Sequence, residues 1–355
     1  MTSSPGLRLG FAGVGWIGLH RMQAAIAAGG EVTGIFDPDA AACARAVESA
    51  PRARVCATFD ELLDSGLDGV VIATPNAFHA EQCRAALRRG IAVFCQKPLA
   101  RTADEVQALV LEARAANRLL SVDLSYRATR AVERIKEVVS SGEIGRVYSA
   151  SLTFHNGYGP DKAWFYDPCL SGGGCLMDLG VHLVDTALWV LGFPRVDRVQ
   201  ARRFARGAAV GKDRGVPEDF FLGRMEIEGG AAIDVACSWN LHVGCDAVIS
   251  ASFFGTEGGV EFHNVDGSFY DFVASRSKGT ARFELARPPD AWGGRMIARW
   301  VTELSRSASY RSEAEQLLDV AAILDAFYER EPALARSREH AKQSLPGAHI
   351  GGGPA

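Results

Sequence analysis

Near its start the chain has a short apolar run that is followed at once by a turn with regularly spaced glycines. The run covers residues 7–11, the glycines are Gly13, Gly15 and Gly18, and a segment with helical periodicity continues to residue 30. A strand, a Gly-x-Gly-x-x-Gly turn and a helix in this order bring the backbone close to a pyrophosphate and point the helix N-terminus at it. The sequence therefore predicts a dinucleotide-binding turn, which favours an α/β fold with parallel strands in the first part of the chain.

The residues around this turn and after the next apolar run indicate which dinucleotide binds. Asp37 ends that run, about 20 residues beyond the last glycine, where a carboxylate accepts hydrogen bonds from the adenosine ribose. The same charge repels a 2′-phosphate, and no arginine follows directly, although Arg45 lies one helix further on. NAD is therefore predicted in preference to NADP. The predicted cofactor contacts here are Gly13, Gly15, Trp16, Ile17, Gly18 and Asp37.

Strand and helix patterns alternate from residue 7 to about residue 125, as in a doubly wound parallel sheet. In such sheets a ligand binds outside the carboxyl ends of the strands, so residues that follow a strand are candidates for contact with it. Two such groups follow the apolar strands at 69–73 and 91–95. They predict further cofactor contacts at Thr74, Pro75, Asn76, His79, Gln96 and Lys97.

Beyond about residue 125 the pattern changes to strand-like segments joined by short glycine-rich turns, which is typical of a mostly antiparallel sheet. One long apolar helix, predicted over about 174–191, interrupts these strands. We therefore predict two domains, a nucleotide-binding domain at 1–125 and an α+β domain at 126–335 for substrate binding and oligomerisation. Two late helices are expected to pack back on the first domain, and 336–355 to form a flexible tail.

Three titratable residues are candidates to carry a reaction at this crevice. Lys97 stands at a strand end before Pro98, where it is either a hydrogen-bond donor to an alkoxide or an ordinary surface lysine. Asp178 and His182 are four residues apart on one face of the long helix, which suits a general base and its orienting carboxylate. A buried histidine satisfied by its helical neighbour would give the same pattern. A metal held by Asp178, His182 and Asp185 is a further alternative, but no matching His/Cys set accompanies them, so no metal is predicted.

Four other polar or aromatic residues lie in segments that are expected to flank the crevice. Tyr126 and Arg127 follow the last parallel strand, His155 ends a strand of the second domain, and Trp164 lies shortly after it. Tyrosine and tryptophan often line sugar-binding clefts, although they are also common at domain edges. These four are the predicted substrate contacts, together with the aspartate and the histidine of the long helix.

Composition and charge argue against several other classes of protein. The net charge of −4 gives no basic surface for nucleic acid, and no uninterrupted apolar stretch reaches the roughly 18 residues that span a bilayer. The first residues lack the basic and apolar regions of a signal peptide, and the eight cysteines show no zinc-like spacing. These features predict a cytoplasmic protein without nucleic-acid or membrane partners.

Taken together, the motifs resemble those of the glucose–fructose oxidoreductase, inositol dehydrogenase and rhizopine-catabolism (Gfo/Idh/MocA) family over nearly the whole chain. The matching residues are the glycine turn at 13–18, Ala73-Thr74-Pro75-Asn76 with His79, Lys97-Pro98, Tyr126-Arg127, and Gly172-Gly173-Gly174 through Asp178-Leu179-Gly180-Val181-His182. The resemblance implies a Rossmann domain followed by an α/β domain whose open antiparallel sheet forms a homodimer or homotetramer. It also implies Lys97, Asp178 and His182 as the catalytic set, with a sugar or polyol as substrate.

One residue departs from the pattern of this family, because its usual Glu-Lys-Pro sequence reads Gln96-Lys97-Pro98 here. The amide keeps the size and hydrogen-bonding capacity of glutamate but removes a negative charge beside the lysine. The leading hypothesis is an NAD-dependent dehydrogenase that oxidises a secondary or anomeric hydroxyl of a sugar or polyol. Two alternatives stay open: a redox-neutral enzyme that retains its NAD and cleaves or epimerises a sugar by transient oxidation, and a non-catalytic NAD-binding module.

Overall fold

A parallel sheet with helices on both faces forms the first part of the protein. The computed structural model describes residues 6–211 and 215–329. In this part of the chain the sheet contains β1 (Leu7–Ala12), β2 (Gly30–Phe36), β3 (Arg54–Val55), β4 (Gly69–Ile72), β5 (Ala92–Cys95) and β6 (Leu120–Val122). The strands are all parallel, in the order β3-β2-β1-β4-β5-β6. The order reverses between β1 and β4, which places a crevice at the carboxyl edge of the sheet.

Helices connect these strands and cover both faces of the sheet. They are α1 (Trp16–Ala27), α2 (Ala40–Ser49), α3 (Phe59–Leu63), α4 (Asn76–Arg88) and α5 (Ala103–Ala116). Residues of α1 and α2 belong to the apolar core on one face, and residues of α3, α4 and α5 to the core on the other. Side-chain caps set where two of the helices begin: Asp39 accepts from the Ala41 N–H before α2, and Thr102 from the Glu105 N–H before α5. Burial on both faces explains why these strands read as nearly unbroken apolar runs.

The second part of the described chain forms a nine-stranded sheet that is antiparallel at all but one of its strand pairs. Its strands are β7 (Val147–Asn156), β8 (Val196–Ala205), β9 (Ala208–Ala209), β10 (Phe220–Ile227), β11 (Ala231–Ser238), β12 (Ala247–Gly255), β13 (Gly259–Asn264), β14 (Phe272–Lys278) and β15 (Ala281–Ala286). They follow the order β15-β14-β13-β12-β7-β11-β10-β8-β9, with β7 and β11 parallel. The predicted mostly antiparallel sheet is confirmed, whereas the sequence patterns do not predict β9, β14 and β15.

Within residues 6–211 and 215–329, helices pack against one face of this second sheet. The remaining helices are α6 (Arg130–Ser140), α7 (Pro168–Ser171), α8 (Val181–Leu191), α9 (Arg295–Arg306) and α10 (Gln316–Phe327). Apolar residues of α6, α8 and α10 share one core with the inward residues of the strands. Along β7, Leu152 and Phe154 point into this core, whereas Ser151 is exposed on the other face. The second sheet therefore has a covered face and an open face.

The two late helices return to the first part of the chain, as predicted. On α9, the Trp300 ring lies 5.6 Å from the Phe94 ring of β5. On α10, Ala321 and Ala322 join the apolar core that also contains α4 and α5. The domain boundaries stay predictions, and the tail predicted at 336–355 lies outside the described residues.

One helical stretch in the described part of the chain, Pro168–Leu191, is long and apolar enough to cross a membrane, by its length and composition alone. Its best window has a mean hydropathy of 1.4, and 78% of that window is buried inside the protein. Burial of this kind is typical of a helix in the core of a large domain.

Candidate active site

The glycine turn between β1 and α1 has the shape of a cradle for phosphates. Gly13 has a φ of 82°, and a Cβ there would lie 2.5 Å from the carbonyl group of Ala73. A Cβ on Gly18 would lie 2.0 Å from the Gly13 oxygen, so only glycine allows this close packing. Apart from Gly15 itself and its chain neighbours, no atom of the described residues lies within 4 Å of a Cβ built on Gly15, which precedes α1 and gives it no side-chain cap. The open space and the uncapped N–H groups fit the pyrophosphate of a dinucleotide.

Asp37 lies beside this turn, at the carboxyl end of β2. Its Oδ2 accepts a hydrogen bond from the Val14 N–H at 2.7 Å, and its Oδ1 accepts one from the Asp39 N–H at 2.9 Å. Each carboxylate oxygen has a further lone pair available for a ribose hydroxyl. Trp16 is 72% exposed at the start of α1 and forms part of the same surface. The arrangement is compatible with the predicted ribose contact of Asp37.

Two side chains that were predicted to touch the cofactor are instead buried links within the protein. The His79 ring is 0% exposed, with its nitrogens 2.8 Å from the Pro98 oxygen and 2.7 Å from the Thr74 oxygen. Burial lowers the pKa of His79. Asn76 is also buried, and its amide donates to the Ser171 oxygen at 2.8 Å. Both side chains therefore hold the loops after β4 and β5 in place, and a cofactor contact through other atoms of Asn76 and His79 stays a prediction.

Lys97 and Asp178 form an ion pair between the two parts of the chain. The Lys97 Nζ donates to the Oδ1 and to the backbone oxygen of Asp178, both at 2.7 Å. The other carboxylate oxygen of Asp178 accepts a hydrogen bond from the Trp239 Nε1 at 3.0 Å. The two charged side chains are 19% and 13% exposed, so the pair is shielded but reachable from solvent. The negative charge that touches Lys97 thus comes from the second sheet's helix, not from position 96.

The turn that carries Asp178 is π-helical. Over Leu176–Gly180 the helix is wider than an α-helix, and the N–H of Val181 donates to the Leu176 oxygen, five residues back. This turn places both the carboxylate and the carbonyl of Asp178 within reach of Lys97. A single π-helical turn inside a longer helix is often found at functional sites.

Glu218 anchors the start of the same helix. Its buried carboxylate accepts from the N–H groups of Gly174 and Leu176, and from the Tyr328 hydroxyl at 2.7 Å. Burial raises the pKa of Glu218, and these hydrogen bonds oppose that shift. A Cβ on Gly174 would lie 2.0 Å from the Glu218 backbone oxygen. At Gly174, the sequence therefore needs glycine for packing within the protein.

His182 lies one turn further along and is partly exposed. Its Nδ1 is buried and has no hydrogen-bond partner among the described residues. The Tyr126 ring meets it edge-on at 5.0 Å, and the Phe154 ring lies at 6.5 Å. Burial lowers the pKa of His182 well below its usual range, and the charges of Lys97 and Arg21 lower it further. The imidazole is therefore neutral at pH 7 and able to accept a proton.

Tyr126 forms the inner wall beside His182. Its side chain is 7% exposed and contacts the rings of Phe272 and Trp292. Burial raises the pKa of Tyr126, and the charges of Tyr270 and Asp178 add to the shift. Its hydroxyl therefore stays protonated and available as a hydrogen-bond donor.

Arg127, a predicted substrate contact, directs its side chain to Asp185, with which it forms a buried ion pair. Its Nε donates to Asp185 Oδ2 at 2.9 Å and to Oδ1 at 3.1 Å, and its Nη1 donates to Gln316. Burial raises the pKa of Asp185, and Arg127 opposes this effect. Because Arg127 engages both oxygens of Asp185, the geometry does not favour a metal bound by Asp178, His182 and Asp185. No group of three or more potential metal ligands occurs in the described ranges.

His155 and Trp164 are also placed differently from the prediction. Alternate residues of β7 point to opposite faces, so the Phe154 ring lies near the His182 ring while His155 lies on the open face. There its Nδ1 lies 2.7 Å from the Ser238 hydroxyl. Trp164 stacks on Phe165 at 3.8 Å. Neither His155 nor Trp164 makes a described contact with the lysine, aspartate or histidine of the site.

A buried network behind the site was not predicted. The Arg21 Nε donates to Asp123 Oδ2 at 2.5 Å, and these residues are 6% and 1% exposed. The Gln96 amide donates to the same oxygen at 2.6 Å. Two sequence signals could have indicated this network: an arginine within an apolar helix face, and an aspartate directly after a buried strand. A buried charge needs a partner, so each of these residues implies the other kind.

Known protein families match both parts of this chain. An oxidoreductase family with an NAD-binding Rossmann fold matches residues 7–124, and the GFO/IDH/MocA C-terminal domain matches 132–261. The chain belongs to the GFO/IDH/MocA family.

Two relatives in this family illustrate the similarity. The chain is 29% identical to D-glucoside 3-dehydrogenase of Escherichia coli (strain K12) over 54% of its own length and 58% of that protein. It is 30% identical to D-xylose 1-dehydrogenase (NADP(+)) 2 of Haloferax volcanii, in a match that covers 81% of this chain and 89% of that protein.

The fold of this GFO/IDH/MocA protein is similar to that of levoglucosan dehydrogenase in complex with NADH. The TM-score is 0.79 at 23% identity, and the match covers 92% of this chain and 97% of that one. The chain spans less than two thirds of the length of the glucoside dehydrogenase that it matches. Family membership confirms the predicted NAD-binding Rossmann fold and the resemblance drawn from the motifs.

Proposed function

We propose that this protein is an NAD-dependent dehydrogenase that oxidises a secondary or anomeric hydroxyl of a sugar or polyol. The observation that carries the proposal is the Lys97–Asp178 ion pair at 2.7 Å, with His182 on the next turn of the same helix. These groups lie at the carboxyl edge of the parallel sheet that holds the glycine turn. The named relatives, which act on glucosides and xylose by their names, support the same substrate class.

In the proposed reaction His182 takes the proton of the substrate hydroxyl. Its Nδ1 is buried, so in the proposal Nδ1 carries the ring hydrogen and Nε2 accepts the proton, while the lowered pKa keeps the imidazole neutral at pH 7. The ammonium of Lys97 donates a hydrogen bond to the oxygen as negative charge develops on it. Asp178 holds Lys97 in place through two contacts and is itself held by Trp239. Bound NAD supplies the acceptor for the hydride.

The rings around Asp178 support a sugar or polyol as the substrate. Tyr166 and Trp239 meet edge-on at 5.6 Å, and the Trp239 N–H donates to Asp178. Burial raises the pKa of both Tyr126 and Tyr166, and the charge of Asp178 adds to the shift, together with Tyr270 in the case of Tyr126. Aromatic faces beside hydroxyl and carboxylate groups suit a ligand with apolar C–H faces and many hydroxyls.

The proposal is tested by following NADH formation with a panel of glucosides, aldoses, inositols and anhydro-sugars. We expect NAD reduction with at least one member, and a clear preference for NAD over NADP. Net conversion of a sugar without accumulation of NADH would favour the redox-neutral alternative. NAD binding without any conversion across the panel would contradict the proposal and favour a non-catalytic module.

The cofactor preference is expected to depend on Asp37. Replacing Asp37 with serine removes the carboxylate that accepts ribose hydroxyls and repels a 2′-phosphate, so the ratio of kcat/KM for NAD to that for NADP should fall by about 10- to 100-fold. The measurement is steady-state kinetics with both cofactors and one sugar. Asp104→Ser, an exposed change in the first turn of α5, is the matched control and should keep the wild-type ratio. An unchanged ratio in Asp37→Ser would show that other residues select the cofactor.

We also propose that the open face of the second sheet forms a homodimer or homotetramer interface. This face carries a shallow groove between Ser151, Gln200 and Leu222, and the Leu222 side chain is 45% exposed. An apolar residue surrounded by polar side chains is typical of an interface core. Light scattering on the wild type and on Leu222→Glu tests this proposal, since the charged variant should have the smaller mass.

We further propose that the enzyme acts in the cytoplasm. All eight cysteines are free, and Cys175 and Cys237 keep their sulfur atoms 3.9 Å apart without a bond. Unpaired thiols are typical of a reducing compartment. Fractionation of the producing cells, with the activity found in the soluble fraction, is the expected result.

A further inference from the structure

A buried hydrogen-bond network connects three elements behind the catalytic lysine and histidine. Asp123 directly follows β6, and its Oδ2 accepts from the Arg21 Nε at 2.5 Å and from the Gln96 amide at 2.6 Å. Its Oδ1 accepts from the Ser125 hydroxyl at 3.0 Å. These partners satisfy the hydrogen-bonding capacity of a carboxylate that is only 1% exposed.

The residue at position 96 donates a hydrogen bond to Asp123 in this network. Glutamine does so through its amide, whereas an ionised glutamate has no proton to donate. Two carboxylates at the 2.6 Å separation seen here would not both ionise at neutral pH. The amide of Gln96, in place of the family's usual glutamate, is therefore complementary to the carboxylate of Asp123. The negative charge of this network is carried by residue 123 and not by residue 96.

The network also affects the electrostatic surroundings of His182. The charged and titratable groups around the imidazole are Lys97 from the turn after β5, Arg21 from α1, the Tyr126 phenol from the turn after β6, and Asp178 on its own helix. Both cations lower the pKa of His182. The carboxylate paired with Arg21 offsets part of its positive charge, because the two opposite charges are in direct contact.

We propose that Arg21, Gln96 and Asp123 are positioning residues of this active site. The network holds the turn that carries Lys97 against the end of β6, and it sets how much of the charge of Arg21 reaches His182. The kinetic consequences rest on the proposed dehydrogenase function. The protonation of His182 does not, because it is measurable in the protein without substrate.

A double-mutant cycle tests the match between positions 96 and 123. We expect Gln96→Glu and Asp123→Asn each to lower kcat/KM by about tenfold, and the protein with both changes to return within about threefold of wild type. In the double variant the carboxylate and the amide have exchanged places, so the hydrogen bond between positions 96 and 123 again joins one anion and one amide. Gln107→Glu, the same change on a half-buried position of α5, is the control and should be neutral. A double variant as impaired as the product of its two single variants would overturn the proposal.

The second measurement is an NMR titration of the His182 imidazole in the full chain, with its signals assigned by comparison with His182→Asn. Asp123→Asn should lower the pKa of His182, since the charge of Arg21 is no longer offset, and Arg21→Gln should raise it. Thermal unfolding checks that each variant is folded, and if Asp123→Asn is not, Arg21→Gln and the double variant carry the test. An unchanged His182 pKa in the folded variants would overturn the inference. The two opposite shifts without any sugar turnover would support the network and contradict only the proposed reaction.

Discussion

Replacing Lys97 with methionine is expected to lower kcat by about two to three orders of magnitude, the usual loss when a donor to a developing oxyanion is removed. The lysine is the cation that contacts Asp178, and methionine keeps most of its length and apolar stem without the charge. Affinity for NAD should change little, because the cradle for the phosphates is built from backbone groups of the glycine turn. The measurements are steady-state kinetics on the best sugar of the panel and NAD binding by fluorescence.

Two further variants make the Lys97 result specific. Lys97→Arg keeps the charge, but its planar guanidinium is a different shape from the ammonium that meets both the carboxylate and the carbonyl of Asp178, so we expect only partial activity. Lys162→Met is the matched control, because that lysine is 65% exposed and should be replaceable without effect. If Lys97→Met retained most of the wild-type kcat, the proposed role of this lysine would be wrong.

Replacing His182 with asparagine is expected to lower kcat for sugar oxidation by about 10²- to 10⁴-fold, the typical contribution of a general base. Asparagine is smaller and cannot take up the substrate proton at neutral pH. NAD binding and the thermal unfolding temperature should stay close to those of the wild type, since the only described buried polar atom of His182, its Nδ1, makes no hydrogen bond. His263→Asn, on an exposed position of β13, provides the control.

The pH profile gives a second test of His182. Burial and the two nearby cations lower its pKa well below the usual value near 6.5, so the imidazole remains neutral until the pH falls below that range. The rate of oxidation should therefore be flat from neutral pH down past 6.5 and decline only at more acidic pH, as His182 becomes protonated. This acidic limb should be absent in His182→Asn. An acidic limb that persists unchanged in the variant would assign the titration to another group.

Much of the candidate site was predictable, because local patterns specify where its residues stand. The glycine spacing predicts the turn between β1 and α1, and the apolar strand before Gln96-Lys97 predicts that Lys97 stands at a strand end. The interval of four residues between Asp178 and His182 puts both on one side of a helix, and this holds although the first turn is π-helical. These regularities arise from hydrogen bonds between residues that are close in the sequence, so they appear in the sequence itself.

The predicted contact residues whose side chains have other partners in the structure share a different origin. His155 has the right residue type and follows an apolar strand pattern, but alternation in a strand does not say which face the rest of the chain covers. His79 and Arg127 are polar residues next to the site, but neither side chain is directed at a ligand. His79 contacts two backbone oxygens, and Arg127 pairs with Asp185, 58 residues away. A polar residue near a crevice serves either the ligand or the surrounding structure, and the choice depends on partners that lie far off in the chain.

The sequence by itself determined the dinucleotide turn, the alternation of strands and helices, the place of Lys97 at a strand end, and the shared helix face of Asp178 and His182, because each depends on short-range periodicity and strand ends. Only the tertiary structure decided that Asp178 is the anion beside Lys97, 81 residues away, and that Asp123 holds Arg21, 102 residues away. Pairing of buried charges depends on which groups share a volume of low dielectric constant, and this is known only once the two sheets and their helices are packed. Gln96 shows the difference most clearly, since the sequence records only a missing charge, whereas the fold reveals the carboxylate to which its amide donates.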